Sequence, residues 1–169
     1  MNLLGCCPDN GTASLLQSKA EANIHGTIAF VHREATQMKL IVCIDDQNGM
    51  AFNHRRQSQD RVLVERIEDL AADSTLRMAP YSKKLFGCEN TVASSSYLAD
   101  ADGDDYCFVE LDDVKSYEDK IQKVIIFRWN RHYPSDVKFE IDLSNWHLVA
   151  SEEFPGSSHL KITMEVYER

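Results

Sequence analysis

The sequence predicts an α/β fold, with a buried central sheet whose last strand runs antiparallel to its neighbour. Three observations predict it. Leu40–Ile44 and Val124–Trp129 are apolar runs, the second broken only by Arg128, as strands covered on both faces require. Val62, Leu63, Ile67 and Leu70 recur at helical spacing and give one helix an apolar stripe. Near the end, Leu160, Ile162, Met164 and Val166 alternate with Lys161, Thr163, Glu165 and Tyr167, the period-two pattern of a strand with one buried face.

Composition bounds the rest. A chain of 169 residues with 43% apolar and 27% charged side chains is enough for one domain with a proper core. No apolar run approaches the roughly 18–20 residues of a membrane span, so no membrane partner is expected. The net charge of −9 argues against a nucleic-acid partner, which needs clustered Lys and Arg. Local basic spots at Arg55-Arg56, Lys83-Lys84 and Arg128 to Arg131 leave small anions open. The cysteines number five, with no Cys-x-x-Cys pair, which fits a reducing cytoplasm. Cys43 and Cys107 lie in apolar strand patterns and read as buried thiols.

Residues 1–37 read differently. Leu3-Leu4-Gly5-Cys6-Cys7 is too short for a signal peptide, and no basic residue precedes it. The segment is expected to be a poorly packed N-terminal extension, with 38–169 as the single domain. The rival reading takes the apolar residues within Gly26–Arg33 as a strand on the sheet edge. After Leu40–Ile44, Asn48-Gly49 marks a turn. Ser58 is the expected N-cap of a helix from Asp60 to about Ala72. Thr75–Met78 is a short strand, and Tyr106–Val109 is an apolar one leading to a helical segment ending near Gln122. Asp100–Asp105 invites a calcium loop, but the sixth and twelfth positions are Asp105 and Leu111 rather than Gly and Glu. It reads instead as a solvated acidic loop. Pro155-Gly156 links Trp146–Ser151 to the last strand as an antiparallel pair.

The residues Lys123–Phe127, Asp136, Phe139, Trp146, Leu148-Val149 and Glu165–Arg169 resemble the end of dihydrofolate reductases, and Asp46, Asn48, Gly49, Met50 and Asn53 resemble their first active-site loop. The likeness spans about Met38 to Arg169. It implies a three-layer sandwich around a mixed, mostly parallel sheet with an antiparallel C-terminal strand. It also implies that Asp60, the position matching the family's carboxylate near the start of this helix, is the acid that meets a pteridine-like ring through two parallel hydrogen bonds. A second reading of Asp60 is helix-dipole stabilisation. Met78 and Ser82 match the cofactor-binding Met-Gly-Arg-x-Thr of that family, which makes Ser82 and Lys83 the cofactor-side residues. Ala79 and Pro80 stand in place of its Gly and Arg. After the strand at Tyr106–Val109 the family has two glycines, whose bare backbone approaches the NADPH pyrophosphate. This chain has Glu110-Leu111-Asp112-Asp113.

The expectation is therefore a divergent reductase-like protein without standard NADPH-dependent activity, binding a small planar ligand or a protein partner. NADPH is disfavoured as cofactor. The alternative is an active NAD(P)H-dependent reductase with Asp60 as the substrate-binding acid. A third reading, the name ribonuclease Z, requires a His-x-His-x-Asp-His zinc cluster, whereas His25, His32, His54, His132, His147 and His159 are scattered. No metal site is expected. His54, His132 and His147 read as surface residues, and Trp129 and Trp146 as core aromatics.

Overall fold

The computed structural model describes residues 37–169. The predicted extension over 1–37 lies outside the described residues, apart from Gln37. Among the described residues, ten strands and one α-helix follow in order. They are β1 (Met38–Ile44), β2 (Gly49–Phe52), β3 (Arg55–Arg56), α1 (Arg61–Leu70), β4 (Leu76–Met78) and β5 (Thr91–Ala93). Then come β6 (Tyr106–Val109), β7 (Ile121–Arg128), β8 (Val137–Lys138), β9 (His147–Phe154) and β10 (Ile162–Glu168).

Seven strands form the main sheet in the order β5-β4-β6-β1-β7-β10-β9. β1 pairs in parallel with both β6 and β7, and β4 in parallel with β5 and β6. β10 alone runs against its neighbours β7 and β9. This is the mixed, mostly parallel sheet with an antiparallel C-terminal strand. β1 and β7 lie at the centre, and their unbroken apolar runs follow from that position: neither face meets water.

The two faces separate by period two along β1. Leu40, Val42 and Ile44 join one core, and Ile41 joins the other. The second core is closed by α1 through Leu63 and Ile67, each burial stabilising by about 1.5–3 kcal/mol. The opposite face has no α-helix among the described residues. It is covered by Tyr97, Leu98, Ala101, Val114, Phe139, Ile141 and Trp146, carried on turns and short 3-10 segments. The helical segment expected before Gln122 is such a 3-10 stretch, Lys115–Lys120. Trp129 and Trp146 are both core residues.

Four local differences from the sequence reading have physical reasons. The helix cap is Asp60, not Ser58, because the Asp60 backbone is extended and its carboxylate accepts from the N–H groups of Val62 and Leu63. Leu160 is 92% exposed, because the preceding His159 takes the inward position and the strand begins only at Ile162. Asp105 is buried rather than solvated, with Oδ2 2.5 Å from Nε of Arg77. Cys107 is buried as expected, and burial pushes its thiol up to about 12, whereas Cys43 is only half-buried.

A second sheet of three strands, β3-β2-β8, stands apart from the first. Its hairpin turns through Asn53 and His54, both at positive φ (50° and 59°). Two left-handed residues in a two-residue loop form the primed turn that matches strand twist. The turn fixes which arginine faces in: Arg55 is exposed, and the Arg56 side chain is only 10% exposed. Among the described residues no helix is long and apolar enough to cross a membrane.

Phe127 is fully buried in β7 and meets Phe154 edge-on, with ring centroids 6.3 Å apart. Phe127→Ala is expected to lower stability by about 3–5 kcal/mol, read from the midpoint of urea unfolding.

Candidate functional site

A cleft of about 370 Å³ opens between the start of α1 and the 3-10 turn at Lys83–Leu85. It is lined by Gln59, Asp60, Arg61, Val64, Lys84 and Leu85. Two polar clusters adjoin it.

The first cluster is built on Asp60. Its carboxylate is 2% exposed as a residue and accepts hydrogen bonds from two directions. Oδ1 accepts from Val62 N at 3.0 Å, Leu63 N at 3.4 Å and Ser157 N at 2.9 Å. Oδ2 accepts from Ser158 N at 2.7 Å and Ser158 Oγ at 3.0 Å, and faces Nδ1 of His159 at 3.3 Å. The loop between β9 and β10 reaches this close because Gly156 carries no side chain. A Cβ there would stand 2.4 Å from Asp60 Oδ2 and 2.9 Å from Ile162 Cδ1. His159 is buried and stacks on Trp129, with centroids 4.6 Å apart. Its Nε2 lies 3.2 Å from Ser58 Oγ and 3.1 Å from Tyr133 Oη. Tyr133 is fixed in turn by its backbone N–H, which donates to the buried Asp45 at 3.0 Å. Asp45 also accepts from Gln47 N and Gly49 N, which shapes the Asn48-Gly49 turn.

Burial alone would raise the Asp60 carboxyl. The backbone N–H groups of Ser157 and Ser158, with the His159 and Ser158 side chains, outweigh it and hold Asp60 well below the usual carboxylate range. Asp45 is lowered in the same way: burial opposes, and the N–H groups of Tyr133, Gly49 and Gln47 prevail.

The second cluster lies at the C-terminal end of β6. Glu110 is 7% exposed. Ser82 Oγ donates to Glu110 Oε2 at 2.6 Å, and the guanidinium Nη2 of Arg56 lies 3.2 Å from the same oxygen. Arg56 sits over the Tyr81 ring, 4.6 Å from its centroid, and its backbone N–H donates to Tyr81 Oη at 3.3 Å. Lys84 lies 5.3 Å from the same ring and reaches the cleft. Among the described residues, Nη1 and Nη2 of Arg56 have no aligned hydrogen-bond acceptor. Burial raises Glu110, and Ser82, Arg56 and Lys84 offset only part of that rise. Burial would also raise the Tyr81 phenol, but the backbone N–H and guanidinium of Arg56 bring it down.

The residues expected at the site thus have definite positions. Asp60 lines the cleft, with its oxygens engaged by the protein. Ser82 is buried and spends its hydroxyl on Glu110. Lys83 points to Thr91, with Nζ against the Thr91 hydroxyl. Lys84, one residue on, is the lysine that faces the cleft. His54, His132 and His147 are exposed. His159, Tyr133 and Arg56 escaped the sequence reading as site residues. Ser157 and Ser158 meet Asp60 across 97 and 98 residues, a closeness no local pattern signals. Arg56 had a signal, the inward phase of a two-residue strand after a tight turn. Among the described residues no group of three or more His, Cys, Asp or Glu side chains is placed to hold a metal ion.

No protein-family model and no curated protein matches the chain. Among solved structures, it is similar to a dihydrofolate reductase from Enterococcus faecalis complexed with NADP(H) and RAB-propyl. The TM-score is 0.61 at 13% sequence identity, over 80% of this chain and 97% of that one. The likeness establishes a dihydrofolate reductase fold, as the C-terminal residues predicted.

Asp60→Ala leaves the N–H groups of Ser157, Ser158 and Val62 without their acceptor. It is expected to cost on the order of 3 kcal/mol at neutral pH, measured by urea unfolding. A carboxyl lowered in the folded state stabilises fully above its unfolded pKa of about 3.9 and loses that contribution as pH falls through the folded value. The stability gap between wild type and Asp60→Asn is therefore expected to shrink as both are acidified below about pH 4.

Proposed function

We propose that this chain is a divergent dihydrofolate reductase-like protein that binds a small planar, anionic ligand in the cleft between α1 and the 3-10 turn, without standard NADPH-dependent reduction. The observation that carries the reading is Glu110. Where the resembled reductases have glycine, this chain places a buried carboxylate clamped between Ser82 and Arg56. A pyrophosphate brought there would meet like charge and a side chain in place of open backbone N–H groups. The residues present do not fit NADPH in that position, and Ala79-Pro80 lacks the arginine that would hold its phosphates.

The α1 side of the site favours a ligand. The cleft is large enough for a small molecule and presents the apolar walls of Val64 and Leu85 beside Arg61 and Lys84. A flat ring carrying a carboxylate or phosphate matches that lining. The alternative, an active reductase in which Asp60 binds the substrate, is favoured by the place of Asp60 in the cleft wall. It requires Asp60 to give up hydrogen bonds to the loop at Ser157-Ser158.

Thermal unfolding of the full chain with NADPH, NADH, dihydrofolate and an antifolate, singly and in pairs, tests the reading. Dihydrofolate or the antifolate is expected to raise the midpoint by on the order of 5–10 °C at about one hundred times its dissociation constant. NADPH is expected to leave it unmoved. Stoichiometric NADPH binding by calorimetry would restore the active reductase. No shift with any of the four compounds would remove the planar ligand and turn attention to a protein partner.

A further inference from the structure

We infer that Ser58, His159 and Asp60 form a nucleophile–base–acid triad, and that Ser58 accepts an acyl group from a carboxylic ester bound beside the cleft. The inference rests on three side chains in a chain of contacts. Ser58 Oγ lies 3.2 Å from His159 Nε2, and His159 Nδ1 lies 3.3 Å from Asp60 Oδ2. It does not depend on which planar ligand the cleft takes.

The tautomer follows from the partners. The Asp60 carboxylate only accepts, and Ser158 Oγ, 3.0 Å from Nδ1, can accept as well, so the tautomer with its proton on Nδ1 satisfies both contacts. Nε2 is then left as a lone pair, and a hydroxyl hydrogen-bonded to that lone pair is an activated nucleophile. The ring is held against rotation by stacking on Trp129 and by burial. Asp60 is itself fixed by the N-terminus of α1 and the β9–β10 loop, so the orienting acid is rigid. Ser58 is partly exposed, and the next two residues, Gln59 and Asp60, line the cleft. Nucleophile, base and orienting acid thus stand in the order that acyl transfer requires, on a fold not built around it.

The step balances with water alone. Ser58 Oγ bonds to the acyl carbon as its proton passes to His159 Nε2. The bond from that carbon to the alkoxy oxygen breaks, and Nε2 returns the proton to the leaving alcohol. Water then gives a proton to Nε2 and its oxygen to the acyl carbon, and Ser58 leaves with the proton restored. Tyr133 Oη also approaches Nε2, at 3.1 Å, and competes with Ser58 for the lone pair.

The test is covalent labelling of the full chain with a fluorophosphonate, with the site mapped by mass spectrometry, alongside hydrolysis of p-nitrophenyl acetate. One adduct per chain on Ser58 is expected, and none on the unfolded chain. Ser58→Ala is expected to lose the adduct and to lower ester hydrolysis about 100-fold or more. No adduct on the folded protein would overturn the inference. So would an adduct on the neighbouring Ser158, or an unchanged hydrolysis rate in Ser58→Ala. Mapping on the wild-type chain decides the matter even if a variant fails to fold.

Discussion

The carboxylate of Asp60 ties the beginning of the only α-helix among the described residues to the loop between the last two strands. Oδ1 takes donors from both the helix and the loop, and Oδ2 from the loop alone, so helix and hairpin are positioned against one shared charge. Such a group is costly to bury and stable only when fully hydrogen-bonded. The surroundings satisfy that condition closely. A glycine lets the loop approach, serine N–H groups point inward, and a histidine closes the remaining side. The cleft wall and the His159 ring both meet at this knot.

A second buried charge, Glu110, organises the other side. It sits at the end of β6, where a parallel sheet of this topology directs its functional loops. Its partners come from the inward arginine of the small hairpin and from the segment after β4. The small three-stranded sheet therefore does more than cap an edge. Its primed turn carries one arginine into the interior and turns the other out to water. The result is an open cleft on one side and a cluster of the protein's own buried ions on the other.

Much of this architecture is legible in the chain. β1 and β7 declare themselves because strands buried on both faces leave no room for polar alternation. The C-terminal pair and α1 are visible for the matching reasons of period and stripe. What escaped detection depends on distance. Asp60 reads from its neighbours as a first-turn acid, and Ser58 as the better cap; the bonds of Asp60 to Val62 and Leu63 make it the cap, and those to serines nearly a hundred residues later have no local signal. Leu160 fits the alternation of β10 on paper, yet the inward turn of His159 throws it outward. Glu110 was visible as an oddity in place of glycine, but its pairing with Arg56 and Ser82 is a tertiary fact.

The face of the sheet opposite α1 shows what an acidic composition can be for. A helix satisfies its own backbone, but a layer made of turns must find acceptors elsewhere. Here carboxylates supply them. Asp113 receives the N–H of Lys115, Asp142 that of Ser144, Asp105 that of Asp102, and Asp112 the hydroxyl of Tyr97. A good part of the surplus negative charge is thus building material, standing where another protein would place helical turns. Both faces of the sheet bury apolar side chains, but on one face a helix carries them and on the other they ride on loops pinned by carboxylate oxygens.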